Sequence, residues 1–203
     1  MREKVINKIM NFIKENNSNA NEEQLEVIQY GLEAIYMTIT KTIILFIIAY
    51  FLGILRELIT FLPFYILIRM FAFGLHAKTS LQCLISSSSI FLGATYLCMY
   101  LNIPLLIKSI LCILCILAIY KWAPADTEKR PIVSKKRRQV YKTLSTIIAI
   151  TFSFLSIFIT NSFISNCLVI SITVQSFMVC PYVYKLFKLP YNNYLNYLNY
   201  GLN

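Results

Sequence analysis

The stretch Thr79-Ser-Leu-Gln82-Cys83-Leu-Ile-Ser-Ser-Ser-Ser-Ile-Phe-Leu-Gly-Ala-Thr-Tyr-Leu-Cys98-Met-Tyr-Leu101 decides the fold. From Leu81 to Leu101 it carries no charge. At a rise of about 1.5 Å per residue such a run is long enough to cross the ~30 Å hydrocarbon layer of a bilayer as one helix. Thr79, followed three residues later by Gln82, reads as a capping box that opens this helix. Cys83 then falls in its first turns, where the helix dipole and the unpaired amide groups favour a thiolate over a thiol.

Seven residues before Cys83 stands His76, the single histidine of the chain. A histidine can take the proton of a thiol, and the thiolate is the nucleophile of cysteine proteases and acyl-transfer enzymes. On one continuous helix the two α-carbons would be about 10 Å apart, too far for a direct hydrogen bond. The cap places His76 outside the helix, and Gly74 permits the bend that folds the imidazole back toward the sulfur. Spacing alone leaves an incidental pair as the alternative.

Composition says where this chemistry takes place. Of the 203 residues, 58% are hydrophobic and only 14% charged, and the mean hydropathy is +0.64. A soluble domain is less apolar and more charged, so the chain reads as an all-α integral membrane protein. Residues 1–19 carry Arg2, Glu3, Lys4, Lys8, Lys14 and Glu15 without a continuous apolar stretch, which argues against a cleavable signal. Val5, Ile6, Ile9, Met10 and Ile13 recur at helical spacing instead, as in an amphipathic helix at a membrane interface.

Six apolar segments follow, at 36–55, 58–73, 81–101, 103–122, 142–160 and 163–184. The second is the weakest, because its uncharged core of 58–68 contains Pro63 and it runs into Arg69; a re-entrant hairpin is the alternative to a span. Asn102 to Pro104 and Asn161 to Ser162 read as tight hairpin connections. The chain is therefore expected to form a single membrane domain, 1–203. It divides into an amphipathic cytoplasmic-face segment 1–31, a helical bundle 32–184 and a tail 185–203.

Charge orients the bundle. Between residues 121 and 142 lie Lys121, Lys129, Arg130, Lys135, Lys136, Arg137, Arg138 and Lys142, against Asp126 and Glu128. The positive-inside rule makes this loop cytoplasmic. Four segments precede it and two follow, so both termini and the turn bearing His76 and Cys83 are expected on the cytoplasmic side. The formal charge of +10 then reflects topology and contact with anionic lipid headgroups, and no nucleic-acid binding is implied. A secondary role in attracting an acidic peptide is compatible electrostatics.

Cys112 and Cys115 form a C-x-x-C pair, which suggests redox or metal chemistry. Their place in the middle of an apolar helix, without a histidine or further cysteine at zinc spacing, favours packing. One histidine and scattered cysteines cannot supply the usual three protein ligands to zinc, so neither a metal nor another cofactor is expected. Cys98, Cys167 and Cys180 likewise read as membrane packing. The repeated Tyr-Leu-Asn of the tail suggests no chemistry.

The run Arg69-Met-Phe-Ala-Phe-Gly74-Leu-His76-Ala-Lys-Thr-Ser80-Leu-Gln-Cys83 is followed about forty residues later by Ala123-Pro124-Ala-Asp-Thr-Glu-Lys129-Arg-Pro131-Ile132 and a basic run. Together they resemble the accessory gene regulator B family, bacterial membrane endopeptidases that process the precursor of a cyclic quorum-sensing peptide. The similarity extends over essentially the whole chain. It implies catalytic roles for Cys83 and His76, and substrate-binding or structural roles for Arg69 and Gly74, which match the family pattern, and for Lys129 and its neighbour Arg130 in the basic loop. For Arg69, binding of a substrate carboxylate, orientation of the turn and anchoring of a short span at the interface are all open. It also implies an autoinducing peptide precursor as substrate, cyclised to a thiolactone, and a homodimer. The departure from the pattern is Phe73, where many relatives carry a small or polar residue. A simple hydrolytic membrane protease and a peptide exporter are the alternative readings.

Overall fold

The computed structural model describes residues 2–16, 21–76, 79–127 and 131–199. Among them every extended element is an α-helix, and the backbone divides into two compact units, residues 1–53 and 54–203.

The first unit is a helix pair. Helix α1, Arg2–Asn16, buries Ile6 and Met10 and leaves Val5, Ile9 and Phe12 exposed. Helix α2, Glu22–Phe51, opens on a reciprocal capping box: Asn21 Oδ1 accepts from Gln24 N at 2.8 Å while Gln24 Oε1 accepts from Asn21 N at 3.2 Å. This cap corrects the expected amphipathic segment 1–31, because residues 22–31 belong to the long apolar helix. The hydroxyls of Thr38, Thr40 and Thr42 fold back onto carbonyls one turn earlier, which satisfies them without a partner from outside the helix. Gly53, at φ 72°, closes the helix by donating to Tyr50 O. That left-handed conformation suits glycine.

The second unit is a bundle of α3 (Leu55–Ala72), α4 (Ser80–Tyr100), α5 (Leu105–Trp122), α6 (Lys135–Phe158) and α7 (Ser162–Val179), followed by the short α8 (Pro181–Leu186) and α9 (Tyr194–Asn199). Helix α7 is the axis and packs against each of the other four long helices. On one side Ile68, Cys112, Cys115, Ile119 and Phe152 meet Leu168 and Ile172; on another Phe61, Tyr65, Ala94 and Cys98 meet Cys167 and Ile170. Lipid tails are as apolar as leucine, so helices in a bilayer associate through close packing and a few hydrogen bonds. The small residues Ser165, Cys167 and Ser171 of α7 are buried accordingly. Asn166 Nδ2 donates to Cys98 O and Leu101 O at 3.0 and 2.7 Å, tying down the end of α4. Lys108 Nζ donates to Ser165 Oγ at 2.6 Å, and that hydroxyl donates to Ser156 O.

Helices α2, α4, α5, α6 and α7 are long and apolar enough to cross a membrane. Helix α3 falls short on composition, since its 18 residues include Arg56, Glu57 and Arg69. It is nonetheless one unbroken helix through Pro63, about 27 Å long at the usual rise, and not a re-entrant hairpin. The expected segment 163–184 ends earlier, at Val179, because Pro181 lacks an N–H and disfavours a helical residue before it. The basic stretch 121–142 is only partly a loop, for Lys135 to Lys142 form the first turns of α6, capped by Ser134. Asn161 caps α7 as the hairpin reading requires, accepting from Ile164 N at 3.1 Å.

Candidate functional site

The last carbonyls of helix α3 look beyond its own ladder for partners, and Arg69 O and Ala72 O find them in Phe73 N and Ala125 N. Arg69, in the last turn, holds the three residues that follow the helix. Its guanidinium donates to Phe73 O at 2.6 Å, Gly74 O at 3.3 Å and Leu75 O at 2.7 Å. The fixed fork of five donors suits such multiple capture, which a lysine could not reproduce. Of the readings open to Arg69, orientation of the turn is the one its hydrogen bonds display.

Phe73 has φ 56° and Gly74 has φ 121°. A phenylalanine at positive φ is strained and persists only where its surroundings over-determine it. They do so here. Phe73 N donates to Arg69 O, its carbonyl also accepts from Gln175 Nε2 at 2.6 Å, and its ring lies 5.1 Å from that of Tyr141. At Gly74 a Cβ would collide with the Arg69 guanidinium and come within 2.6 Å of Met178 O. Only glycine fits this position.

The turn is also stitched to two other segments. Gly74 N donates to Ala125 O at 2.8 Å and Ala125 N to Ala72 O at 3.1 Å, a parallel bridge between Phe73 and Ala125. Leu75 N donates to Met178 O at 3.1 Å, at the end of α7. His76 follows, exposed, as the last described residue of the turn. Arg69 and Gly74 are thus brought together directly beneath it.

Ala125 is held in turn by its neighbour. Asp126 is 3% exposed, and its carboxylate accepts backbone N–H groups of Ile132 at 3.4 Å, Asn193 at 3.0 Å and Tyr194 at 2.8 Å. Tyr184 Oη donates to Ala125 O and Asp126 O, and Tyr191 Oη to Trp122 O. Burial raises the Tyr184 hydroxyl above its ordinary pKa, the nearby Arg69 charge opposes this, and Asp126 adds to it. Burial, and next Asp126, pushes Tyr191 up to about 12. Both phenols therefore remain neutral donors at physiological pH.

Cys83 sits in the first turn of α4. Thr79 is the N-cap, its hydroxyl accepting from Gln82 N at 3.2 Å, and Cys83 N makes the first full helical bond, to Thr79 O at 3.0 Å. The residue is half-buried. Ser87 Oγ donates to Cys83 O at 2.6 Å, so this serine stabilises its own helix. Cys98, Cys112, Cys115 and Cys167 are buried in the bundle, Cys115 Sγ donating to Thr173 Oγ1 at 3.6 Å. Among the described residues no three metal-ligating side chains converge. Lys129 and Arg130 lie outside the described residues.

The exposed cations of α6 begin with Lys135, Lys136 and Arg137. Cations at a helix N-terminus oppose the helix dipole, so helix stability does not account for them. Further along, Arg138 lies over the Tyr194 ring, 3.2 Å from its centroid, and Lys142 over that of Tyr120, at 4.5 Å.

Sequence reasoning missed Gln175 and the anchoring of the tail on Asp126. A glutamine within an apolar span is expensive unless it is paired. That was the available signal for Gln175. For Asn193 there was none, because its backbone N–H and its Nδ2 both bond Asp126, 67 residues earlier.

The fold and site define a multi-pass, all-α membrane protein with a cysteine at the start of a capped helix and a histidine on a braced turn. The chain belongs to the accessory gene regulator B family, whose model matches residues 6–179. It is similar to an AgrB-like protein of Clostridium acetobutylicum, 31% identical over 176 residues, covering 86% of this chain and 83% of that one. An AgrB-like protein of Lactiplantibacillus plantarum is 30% identical, with 78% and 79% of the two chains covered. One of Listeria welshimeri is 29% identical, with 87% and 86% covered. No solved structure matches.

Proposed function

We propose that this protein is a membrane cysteine endopeptidase that cleaves the precursor of an autoinducing quorum-sensing peptide and closes the released segment into a thiolactone. One observation carries the reading. A turn braced by Arg69 and Gln175 delivers His76 three residues before the Thr79 cap of a helix whose first turn holds Cys83.

In this mechanism His76 takes the thiol proton and Cys83 Sγ attacks the carbonyl of the scissile peptide bond. The imidazolium returns its proton to the leaving amine as that bond breaks, leaving a thioester on Cys83. A thiol of the same substrate then attacks the thioester, and the Cys83 thiolate leaves. Exchange of one thioester for another keeps the reactive bond, whereas hydrolysis is strongly downhill and has to be prevented by excluding water. Holding the substrate thiol beside the acyl group can supply effective molarities of ~10⁵ M or more.

The positive-inside rule puts the basic segment, both termini and the turn on the cytoplasmic side, where the precursor is made. The exposed lysines and arginine at the start of α6 suit anionic lipid headgroups and an acidic stretch of the substrate. A second copy of the chain is the expected partner by family.

The test is cleavage by the purified protein in lipid, followed by mass spectrometry. Cys83→Ala and His76→Ala are each expected to abolish cleavage. The main product of the unaltered protein is expected to be one water lighter than the linear truncated peptide and to open with hydroxylamine. Full activity in Cys83→Ala would end this mechanism. A linear acid as the only product, where authentic thiolactone survives, would make the chain a simple protease. Secretion lost with cleavage intact would mark an exporter.

A further inference from the structure

Every polar side chain buried in a membrane protein has a cost to answer for, and Gln175 answers for only half of its own. It is fully buried in α7, in an apolar span. Its Nε2 donates to Phe73 O at 2.6 Å. Its Oε1 is buried without a hydrogen-bond partner among the described residues. Turning the amide over would not help, since Oε1 would then face a carbonyl oxygen and two acceptors would meet. An apolar residue of similar shape would avoid the orphaned acceptor altogether, and a carboxamide kept at such a cost invites a functional explanation.

Its target supplies one. Phe73 is the strained residue at positive φ from which the chain turns toward His76. Its carbonyl accepts from Arg69 as well, but Arg69 lies on the same helix and moves with it. Gln175 and Met178 O, which accepts from Leu75 N, both come from α7, the helix around which α3 to α6 pack. They refer the turn to the axis of the bundle. Of these ties only that of Gln175 is made by a side chain and can be removed by substitution.

We propose that Gln175 is a positioning residue for the reacting pair: its amide hydrogen bond to Phe73 O fixes the turn so that the His76 imidazole is presented to the Cys83 thiol. The proposal rests on the reading of His76 and Cys83 as that pair. Gln175 touches neither the substrate nor a reacting atom. Its loss should therefore lower the rate of the chemical step and leave substrate binding as it was.

The experiment uses the full chain in lipid vesicles with the precursor peptide. Gln175→Met keeps the length and removes the hydrogen bond, Gln175→Leu likewise has neither donor nor acceptor, and Thr173→Val is the control on the same helix. Cleavage is followed for kcat and KM, and the pH profile of Cys83 alkylation by iodoacetamide is read at that residue by mass spectrometry. For Gln175→Met the expected result is a fall in kcat of about 10- to 100-fold, the scale of a misplacement near 1 Å, with KM within about twofold. Its alkylation profile should move toward that of His76→Ala, while Thr173→Val stays with the unaltered protein.

Removal of the unpaired acceptor should leave the melting temperature of Gln175→Met little changed. A merely structural role would lower stability and leave the alkylation profile of the folded fraction where it was. Should Gln175→Met fail to accumulate, Gln175→Leu is read in the same way. Unaltered kcat, or a rise in KM alone, overturns the proposal. If His76→Ala itself changes neither cleavage nor alkylation, the paired reading fails and the proposal falls with it. If His76→Ala changes both and neither Gln175 variant does, only the proposal fails.

Discussion

Gly74 and Arg69 define one packing problem between them: the guanidinium occupies the space that any side chain at residue 74 would need. Gly74→Ala therefore meets two penalties, a φ of 121° that L-residues rarely adopt and a collision with Arg69 and Met178 O. A backbone held in so sparsely populated a region costs about 1–3 kcal/mol by itself. We expect cleavage to fall at least ~10-fold in Gly74→Ala, because the turn must shift to make room. Arg69→Lys retains the charge and loses the fork, so it should show a loss of similar size. Equal activity of Arg69→Lys and the unaltered chain in a cleavage assay would mean that charge alone matters. Both residues were legible as a pattern. Their relation was not, because a guanidinium that ties down the turn after its own helix looks in sequence like any interfacial arginine.

At the scale of the element, one local cap was read and others as local were not. The cap of α4 at Thr79 follows from a side chain that satisfies an amide three residues on, the Thr79 half of the expected box, whereas Asn161 was read as a hairpin connection and not as the cap of α7 that it is. Two helix starts were missed although their caps are equally local: Asn21 and Gln24 open α2 at Glu22, and Ser134 opens α6, which absorbs basic residues that looked like loop. The cysteines of α5 illustrate how position overrides motif. Cys112 and Cys115 are buried where α5 packs against its neighbours, with hydroxyls of α6 and α7 beside them. We expect the double substitution Cys112→Ala and Cys115→Ala to leave cleavage substantially intact and to lower stability by about 1 kcal/mol per site, the worth of small changes in packing. Loss of cleavage in a folded double variant would give the pair a chemical role.

For the whole molecule, the apolar runs and the placement of lysine and arginine made the membrane class plain, since hydrophobic length and charge are properties of sequence. The expected topology is testable in cells. A cysteine introduced at Asn161, in a background without exposed native thiols, should react with an impermeant reagent from outside, and one at Lys135 only after permeabilisation. The opposite pattern would reverse the orientation. What no local reading could reach is that the turn before His76 is completed by residues synthesised long after it. Gln175 follows Phe73 by 102 residues, and Asn193 follows Asp126 by 67. At a translation rate of about 5–20 residues per second, the helix bearing Cys83 emerges several seconds before α7 exists to brace the turn. If Cys83 and His76 act as proposed, the nascent chain carries during that interval a nucleophile but no fixed base. On that reading the order of synthesis is a safety catch, keeping the growing polypeptide inert until its last long helix is in place.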